Sequence, residues 1–155
     1  MADARRVFID ALNVAYWCGS PPSLRLPLSL MIQLLASGEQ PLLFFDASAP
    51  YQLRHEAGIY ASLRQHAACC IEVPAGRSAD GVMLRQANAS GACIVSRDRY
   101  RDYRSRYRKL IDDPSRLMAG SVEQERVRVA ALALVAPLAA TAEEAWKQLE
   151  PMLPK

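Results

Sequence analysis

Lysine, histidine and long apolar runs are all scarce in this sequence of 155 residues. The longest apolar stretch lies around 129–140 and is interrupted by Pro137, so we expect no segment that crosses a membrane as a helix. The two histidines, His55 and His66, fall in one predicted helix and form neither a metal-binding pair nor part of a catalytic triad. The candidate catalytic and ligand-binding residues are therefore the acidic and arginine side chains.

The four cysteines lack the Cys-x-x-Cys spacing and the partnering histidines of a zinc site. Cys69, Cys70 and Cys93 lie in apolar, strand-like runs, which is typical of reduced core residues. We therefore expect a cytoplasmic protein without a zinc site. The first six residues lead directly into a predicted strand, and we expect no signal peptide.

The remaining composition is that of one globular domain covering residues 1–155. Hydrophobic residues make up 51% and charged residues 23% of the chain, which excludes a disordered protein. This length suffices for a single sizeable core. The net charge is +3, and sixteen of the nineteen basic residues are arginine, the type suited to phosphate contacts and to stacking on bases.

Short apolar runs alternate with helical patterns along most of the chain. The predicted strands are 7–9, 41–45, 69–73, 92–95 and, as a fifth strand at an edge, 126–135; the predicted helices are 28–37, 51–67, 78–90 and 141–149. Residues 16–29 are predicted to be an irregular loop. This alternation predicts a three-layer α/β/α fold around a central, mostly parallel sheet of about five strands.

Acidic residues follow several of these strands. Asp10, Asp46 and Asp98 come where predicted strands end, and Asp80 opens the helix 78–90. Because the carboxyl ends of parallel strands lie along one edge, we expect these carboxylates to converge. Asp102 would share a face with Asp98 if that segment were helical. Packed carboxylates repel unless a cation neutralises them, and an all-oxygen site suits Mg²⁺ or Mn²⁺.

Each acid also has a purely structural alternative. The alternatives are a helix cap or turn for Asp10 and Asn13, a helix N-cap for Asp80, the start of the turn 47–50 for Asp46, and an ion pair with Arg99 or Arg106 for Asp102. Asp10 and Asp98 are the hardest to explain in this way, because both follow runs that we expect to be buried.

Residues 97–109 form the most basic segment of the chain. Seven basic residues and three tyrosines flank two acids there. Interleaved arginine and tyrosine can contact phosphates and stack on the bases of single-stranded nucleic acid, whereas the alternative is a solvated helix that pairs its own charges. The predicted RNA contacts are Arg77, Arg97, Arg99, Tyr100, Arg101, Arg104, Arg106 and Arg108. Tyr16 and Trp17 could stack on a base, or belong to the core or the rim.

Four short segments carry a family resemblance. The segments are FIDALNVA at 8–15, PAGRSAD at 74–80, IVSRDRYRDY at 94–103 and, more weakly, LFFDAS at 43–48. In these blocks the chain resembles the NYN, or Zc3h12a-like, ribonucleases, a branch of the PIN-like nuclease fold. The resemblance spans roughly residues 7–118 and leaves 119–155 as a C-terminal strand and helix.

The resemblance implies metal-dependent, endonucleolytic hydrolysis of RNA that leaves a 5′-phosphate. Single-stranded or loop RNA would be the substrate, and Mg²⁺ or Mn²⁺ the cofactor. Asp10, Asp80, Asp98 and Asp102 would be the catalytic acids and metal ligands, with Asp46 as a further acid. Asn13 and Ser96 would support them. A homodimer, and an inhibitory or targeting protein partner, are expectations that rest on the family alone.

Three positions depart from the family pattern. Ala11 stands where glycine is common, and Ala79 and Gly81 flank Asp80 where further acids can occur. A weakened metal site would leave a module that binds RNA or docks a protein without cutting, and a toxin-like PIN ribonuclease is a third alternative. A haloacid-dehalogenase-type phosphatase requires an aspartate where Leu12 stands.

Overall fold

A parallel sheet lies at the centre of the computed structural model, which describes residues 4–154. Its strands are, in chain order, β1 (Arg6–Asp10), β2 (Gln40–Phe45), β3 (Cys70–Glu72), β4 (Cys93–Val95) and β5 (Leu117–Met118). They stand in the order β3-β2-β1-β4-β5, and each neighbouring pair is parallel. The predicted α/β fold with a five-stranded parallel sheet is thereby confirmed.

Helices connect these strands. They are α1 (Ala11–Ala15), α2 (Arg25–Ala36), α3 (Ala49–Gln52), α4 (Ala57–Arg64), α5 (Ala79–Ser90), α6 (Arg108–Ile111) and α7 (Ala142–Leu149). Short 3₁₀ turns occur at Arg54–Glu56, Arg101–Tyr103, Ala130–Leu132 and Glu150–Met152. No helix between residues 4 and 154 combines the length and the apolar character that a bilayer crossing requires.

The central strands divide their side chains between two hydrophobic cores. In β1, Val7 and Ile9 belong to one core and Phe8 to the other, because successive strand residues point to opposite faces. Residues of α1, α2, α4 and α7 complete the first core, and those of α5 and α6 complete the second. The sheet is therefore the middle of three layers.

The fifth strand of the sheet is not the predicted one. The segment 126–135 contributes instead to an antiparallel sheet of β6 (Ser121–Glu123), β7 (Arg126–Val129) and β8 (Leu134–Pro137). Exposed and buried residues alternate along β7, as expected for a strand with one solvated face. The true edge strand, β5, has two residues and is too short to give a periodic signal.

The predicted helix 51–67 is also wrong, because it is broken between α3 and α4 by the turn Arg54–Glu56. The carboxylate of Glu56 accepts hydrogen bonds from the backbone N–H of Leu24 at 2.7 Å and from Ser23 Oγ at 2.8 Å. This contact satisfies an otherwise unpaired N–H at the start of α2. A tertiary contact thus competes with the local preference for one continuous helix.

The helix predictions at 78–90 and 141–149 are confirmed. Ser78 and Thr141 are their N-caps, and each side chain accepts a hydrogen bond from a backbone N–H three residues later. Helix α2 begins three residues before the predicted start at residue 28. Pro27 is its third residue, where a backbone N–H would have no partner within the helix, so this proline does not prevent the earlier start.

Candidate active site

Asp10 is the last residue of β1 and lies where this central strand meets α1. Its carboxylate oxygen Oδ2 accepts hydrogen bonds from Ser96 Oγ at 3.0 Å and from Tyr100 Oη at 2.6 Å. Both donors follow β4, which is the neighbour of β1 in the sheet. The pairing of two parallel strands therefore builds the environment of this carboxylate.

The surroundings of Asp10 disfavour its charged form. Burial raises the pKa of this carboxyl above its ordinary value, the hydrogen bonds from Tyr100 and Ser96 counteract that increase, and the charge of Asp98 adds to it. Burial and a like charge both destabilise a carboxylate, and a nearby cation stabilises it. The electrostatics of this position therefore favour a bound positive group.

Ser96 links the carboxylate of Asp10, at the end of β1, to the backbone of Asp98 after β4. It is 1% exposed, and its Oγ donates to Asp10 and accepts from the backbone N–H of Asp98 at 3.0 Å. One buried hydroxyl thus uses both its donor and an acceptor lone pair. The supporting role expected for Ser96 stays a prediction, and these two bonds are the contacts through which it would act.

Tyr100 holds Asp10 from the loop that follows β4. Its backbone N–H donates to Asp98 Oδ1 at 2.8 Å, and its φ of 48° lies in the left-handed region. A bulky side chain is uncommon in that conformation, and here it turns the hydroxyl towards Asp10. Tyr100 as a whole is 3% exposed, so its ring has no free face for a base. The expected stacking role is therefore corrected to a positioning role, which sequence spacing gives no means of recognising.

Asn13 ties α1 to the same loop. Its Oδ1 accepts a hydrogen bond from Trp17 Nε1 at 3.0 Å and another from the backbone N–H of Arg97 at 2.9 Å. Trp17 is buried, and the guanidinium of Arg97 lies over its ring at 4.5 Å from the centroid. Trp17 therefore belongs to the core rather than to a base-stacking surface, and Asn13 aligns two elements of the site.

Asp80 lies in the first turn of α5 but does not cap it, because Ser78 is the N-cap. The N-cap alternative for Asp80 is therefore wrong. Burial, followed by the charges of Asp10, Asp98 and Asp46, raises the pKa of Asp80 to about 6. The carboxylates of Asp10, Asp98 and Asp46 thus all lie within electrostatic reach of Asp80.

Asp46 initiates the turn after β2. Its Oδ1 accepts hydrogen bonds from the backbone N–H of Ser48 at 2.7 Å and from the hydroxyl of the same residue. The structural alternative for Asp46 is confirmed by these bonds. Its charge nevertheless acts on Asp80, so this turn contributes to the field at the acidic edge.

Asp102 lines an open groove of about 390 Å³ together with Asp80, Asp98 and three arginines. The segment that contains it is a 3₁₀ turn, Arg101–Tyr103, so the helical face predicted for Asp98 and Asp102 does not form. No ion pair of Asp102 occurs within residues 4–154. In the same range no three Asp, Glu, His or Cys side chains are grouped closely enough to hold one ion.

The predicted RNA-contacting arginines fall into two groups. Arg104 forms a two-pronged ion pair with Asp112, at 2.9 and 2.7 Å, and Arg97 donates from Nε to the carbonyl oxygen of Gly120 at 3.0 Å. The others are exposed and form no ion pair within the described part of the chain: Arg77, Arg99, Arg101, Arg106 and Arg108. Arg97, Arg99 and Arg101 also line the groove beside the acids.

The sequence model of the Zc3h12a-like ribonuclease NYN domain matches residues 3–129. The chain belongs to this family. The matched range contains β1 to β7 and every predicted site residue. No curated protein matches this NYN domain in sequence.

Solved structures of one plant protein share the fold of the NYN domain. A structure of Arabidopsis thaliana nuclear protein-only RNase P 2 (PRORP2) has a TM-score of 0.61 at 15% identity and covers 83% of this chain and 30% of its own. A crystal structure of nuclear proteinaceous RNase P 2 from A. thaliana has a TM-score of 0.64 at 15% identity, with 90% and 32% covered. At this identity the likeness shows the fold alone, and the NYN domain spans less than a third of either chain.

Proposed function

We propose that this NYN domain is a Mg²⁺- or Mn²⁺-dependent endoribonuclease that hydrolyses phosphodiester bonds in single-stranded or loop RNA. The observation that carries the proposal is the half-buried Asp10 carboxylate, whose neighbours Asp98 and Asp80 line a groove that also contains arginines. Membership of a ribonuclease family supports the same reaction class. Endonucleolytic cutting would leave a 5′-phosphate on the downstream product.

The donor set at the edge fits a hard divalent cation. Asp10, Asp80 and Asp98 would hold the ion, with Asp102 as a further ligand from the groove. Mg²⁺ keeps several waters and binds through one or two carboxylates and substrate phosphates, so it does not require three converging side chains. When bound, such an ion lowers the pKa of a coordinated water and offsets negative charge on the phosphate.

The remaining residues of the site would position the acids and bind the RNA. Ser96 and Tyr100 fix the carboxylate of Asp10, and Asn13 fixes the loop that carries Asp98. Arg99 and Arg101 are exposed in the groove, where they would bind phosphate groups of the strand. This division leaves the acids to the reaction and the arginines to binding.

The first test is metal-dependent cleavage of end-labelled single-stranded RNA. Wild-type protein should cut with Mn²⁺ or Mg²⁺ and not with EDTA. With a substrate that has a 5′-hydroxyl and a 3′-end label, the labelled downstream product should be degraded by a 5′-phosphate-dependent exonuclease, whereas the uncut RNA should not. Asp98→Asn should lose the activity, whereas Asp113→Asn should retain it, because Asp113 caps a turn at Ser115 outside the site. Equal cutting in EDTA would overturn the proposed metal dependence.

A second candidate is an RNA-binding module that does not cut. It is favoured by Ala79 and Gly81, which flank Asp80 where the family can carry further acids, and by the absence of a three-ligand group within residues 4–154. Folded wild-type protein that binds RNA but leaves it intact with both metals would establish this alternative.

A further inference from the structure

Two tyrosines are unusually exposed on the side of the sheet that carries α1 and α3. Tyr16 is 41% exposed and Tyr51 is 70% exposed. Both line a pocket of about 370 Å³, within the size range of about 300–1,000 Å³ that small-ligand sites occupy. Large aromatic side chains usually bury most of their area, so this exposed pair requires an explanation beyond the core.

Two helices connect the pocket to the strand ends that carry Asp10 and Asp46. Tyr16 directly follows α1, the helix that begins after Asp10, and Tyr51 lies in α3, which follows the Asp46 turn. Tyr16 Oη donates to Gln52 Oε1 at 2.6 Å, and Gln52 Nε2 donates to Ser48 Oγ at 2.6 Å. Since Ser48 Oγ also donates to Asp46, a continuous chain of hydrogen bonds connects the pocket to Asp46, the carboxylate that follows β2.

Arg54 supplies the positive charge of this pocket. Its guanidinium lies over the ring of Tyr51, 4.4 Å from the centroid, and its Nη1 donates to the carbonyl oxygen of Tyr51 at 2.9 Å. These contacts fix one face of the ring, while the exposed fraction of Tyr51 leaves the other face to solvent. No ion pair of Arg54 occurs within residues 4–154, so its charge is available to a phosphate.

The break between α3 and α4 fixes the position of the loop that forms another wall of the pocket. His55 Nε2 forms a hydrogen bond of 2.7 Å with the carbonyl oxygen of Pro22, and Glu56 holds Ser23 and Leu24. The loop before α2 is therefore fastened to the turn that carries Arg54. Had residues 51–67 formed one continuous helix, these contacts would not fix the two walls in this way.

We propose that this pocket, formed by Tyr16, Tyr51 and Arg54, binds one nucleotide of the RNA strand beside the phosphate at the acidic edge. The base would stack on the open face of Tyr51, and Arg54 would contact a phosphate. The arginine-lined groove adjoins α5, on the opposite face of the sheet from α1 and α3. The strand would thus cross the edge from one face to the other. This inference rests on the proposed function for its choice of ligand.

RNA affinity without cleavage tests the pocket. Binding of a fluorescein-labelled single-stranded RNA is measured by anisotropy in EDTA, so that the readout does not depend on activity. Tyr51→Ala should raise Kd by about 5–150-fold, the range that loss of one stacked base corresponds to, and Tyr51→Phe should stay near wild type. Val135→Ala removes another exposed apolar side chain outside the pocket and serves as the matched control.

An abasic substitution identifies stacking as the cause. In a series of RNAs that each lack one base, one RNA should bind to wild type more weakly than the intact strand does. Tyr51→Ala should bind that RNA and the intact strand with equal Kd. Removing the base and removing the ring abolish the same contact, so the second change should have no further effect. A folded Tyr51→Ala protein with wild-type Kd would overturn the inference. An equal rise in Kd for every abasic RNA, with wild type and with Tyr51→Ala alike, would also overturn it.

The outcomes separate this inference from the proposed nuclease activity. If wild type does not cleave and Tyr51→Ala still weakens binding selectively, the nuclease proposal fails and the nucleotide pocket stands. If wild type cleaves and Tyr51→Ala binds normally, the pocket is wrong and the nuclease proposal stands. Absence of RNA binding by folded wild type would overturn both.

Discussion

The hydroxyl of Tyr100 donates a hydrogen bond of 2.6 Å to the carboxylate of Asp10, although 90 positions separate the two residues. The bond is possible because β1 and β4 are parallel neighbours and because the left-handed backbone of Tyr100 turns its side chain towards β1. Its partner is a half-buried carboxylate whose pKa is raised mainly by the loss of solvation. The acid proposed to be catalytic is thus held by a tyrosine that is itself almost fully buried.

Tyr100→Phe should weaken both stability and metal binding. The substitution removes a donor from a half-buried carboxylate, which costs about 1–3 kcal/mol. It also removes one of the bonds that lower the pKa of Asp10. We expect a lower urea midpoint and weaker Mn²⁺ binding in calorimetry at pH 7. Tyr107→Phe is the matched control, because Tyr107 is also buried and its hydroxyl has no partner within residues 4–154. Identical behaviour of the two variants would contradict the positioning role.

The sequence predicts the positions of the acids but not the contacts of Asp10. Short buried strands that end in aspartate are visible in the pattern at 7–10 and 93–98, and parallel pairing then brings Asp10 and Asp98 to one edge. The hydrogen bond from Tyr100 depends on a backbone conformation and on a distant partner, and neither leaves a periodic signal. For that reason the tyrosine resembles a stacking residue in the sequence and is a positioning residue in the fold.

Asp80→Asn should stabilise the metal-free protein at neutral pH. Burial, together with Asp10, Asp98 and Asp46, raises the pKa of Asp80 from 3.8 to about 6. The folded state therefore binds more protons than the unfolded state between these values, and stability falls as pH rises through that window. The asparagine variant avoids this loss.

Differential scanning calorimetry in EDTA measures the effect of Asp80→Asn. At pH 7.5 we expect Tm to rise by about 2–4 °C, the shift that roughly 1 kcal/mol produces in a domain of this size. The difference from wild type should shrink as pH is lowered towards 5. A constant difference at all pH values, or a lower Tm at pH 7.5, would show that Asp80 is not destabilised by its neighbours.

The arginines of the basic segment 97–109 should differ in their contribution to RNA binding. Arg101 is exposed without an ion pair among residues 4–154, whereas the guanidinium of Arg104 is paired with Asp112. Each phosphate contact with a single strand contributes about 0.7 to the slope of log K against log salt. Arg101→Ala should reduce that slope by about this amount, and Arg104→Ala should leave it unchanged. Equal reductions in the two variants would contradict the distinction.

Gly120→Ala should destabilise the fold near the loop that follows β4. A Cβ at this glycine would lie 2.6 Å from the carbonyl oxygen of Arg128 and 2.6 Å from the ring of Trp17. Overpacking of this kind costs about 1–3 kcal/mol, and we expect a lower denaturant midpoint. Gly58→Ala is the control, because Gly58 lies in α4 and a Cβ added there would have no neighbouring atom within 4 Å. That variant should be about 0.5–1 kcal/mol more stable.

The peripheral elements are harder to predict than the sheet. Strand β5 has two residues, and its place at the edge is set by pairing with β4 rather than by its own sequence. The pattern at 126–129 correctly indicates a strand but not the sheet to which that strand belongs. The pairing of Arg104 with Asp112 likewise depends on the turn between Arg101 and Tyr107, so a run of charges alone does not reveal which arginines are free.

Side-by-side cleavage by wild type and Asp10→Asn tests the central claim most directly. Asparagine preserves the shape of the side chain and an oxygen that can accept from Ser96 and Tyr100, so the variant should fold with a melting temperature at least equal to that of wild type in EDTA. With Mn²⁺ and end-labelled single-stranded RNA, we expect wild type to cut and Asp10→Asn to be slower by roughly 10²–10³-fold, the scale of losing one electrostatic contact to a transition state. Cleavage at the wild-type rate by a folded Asp10→Asn protein would contradict the account.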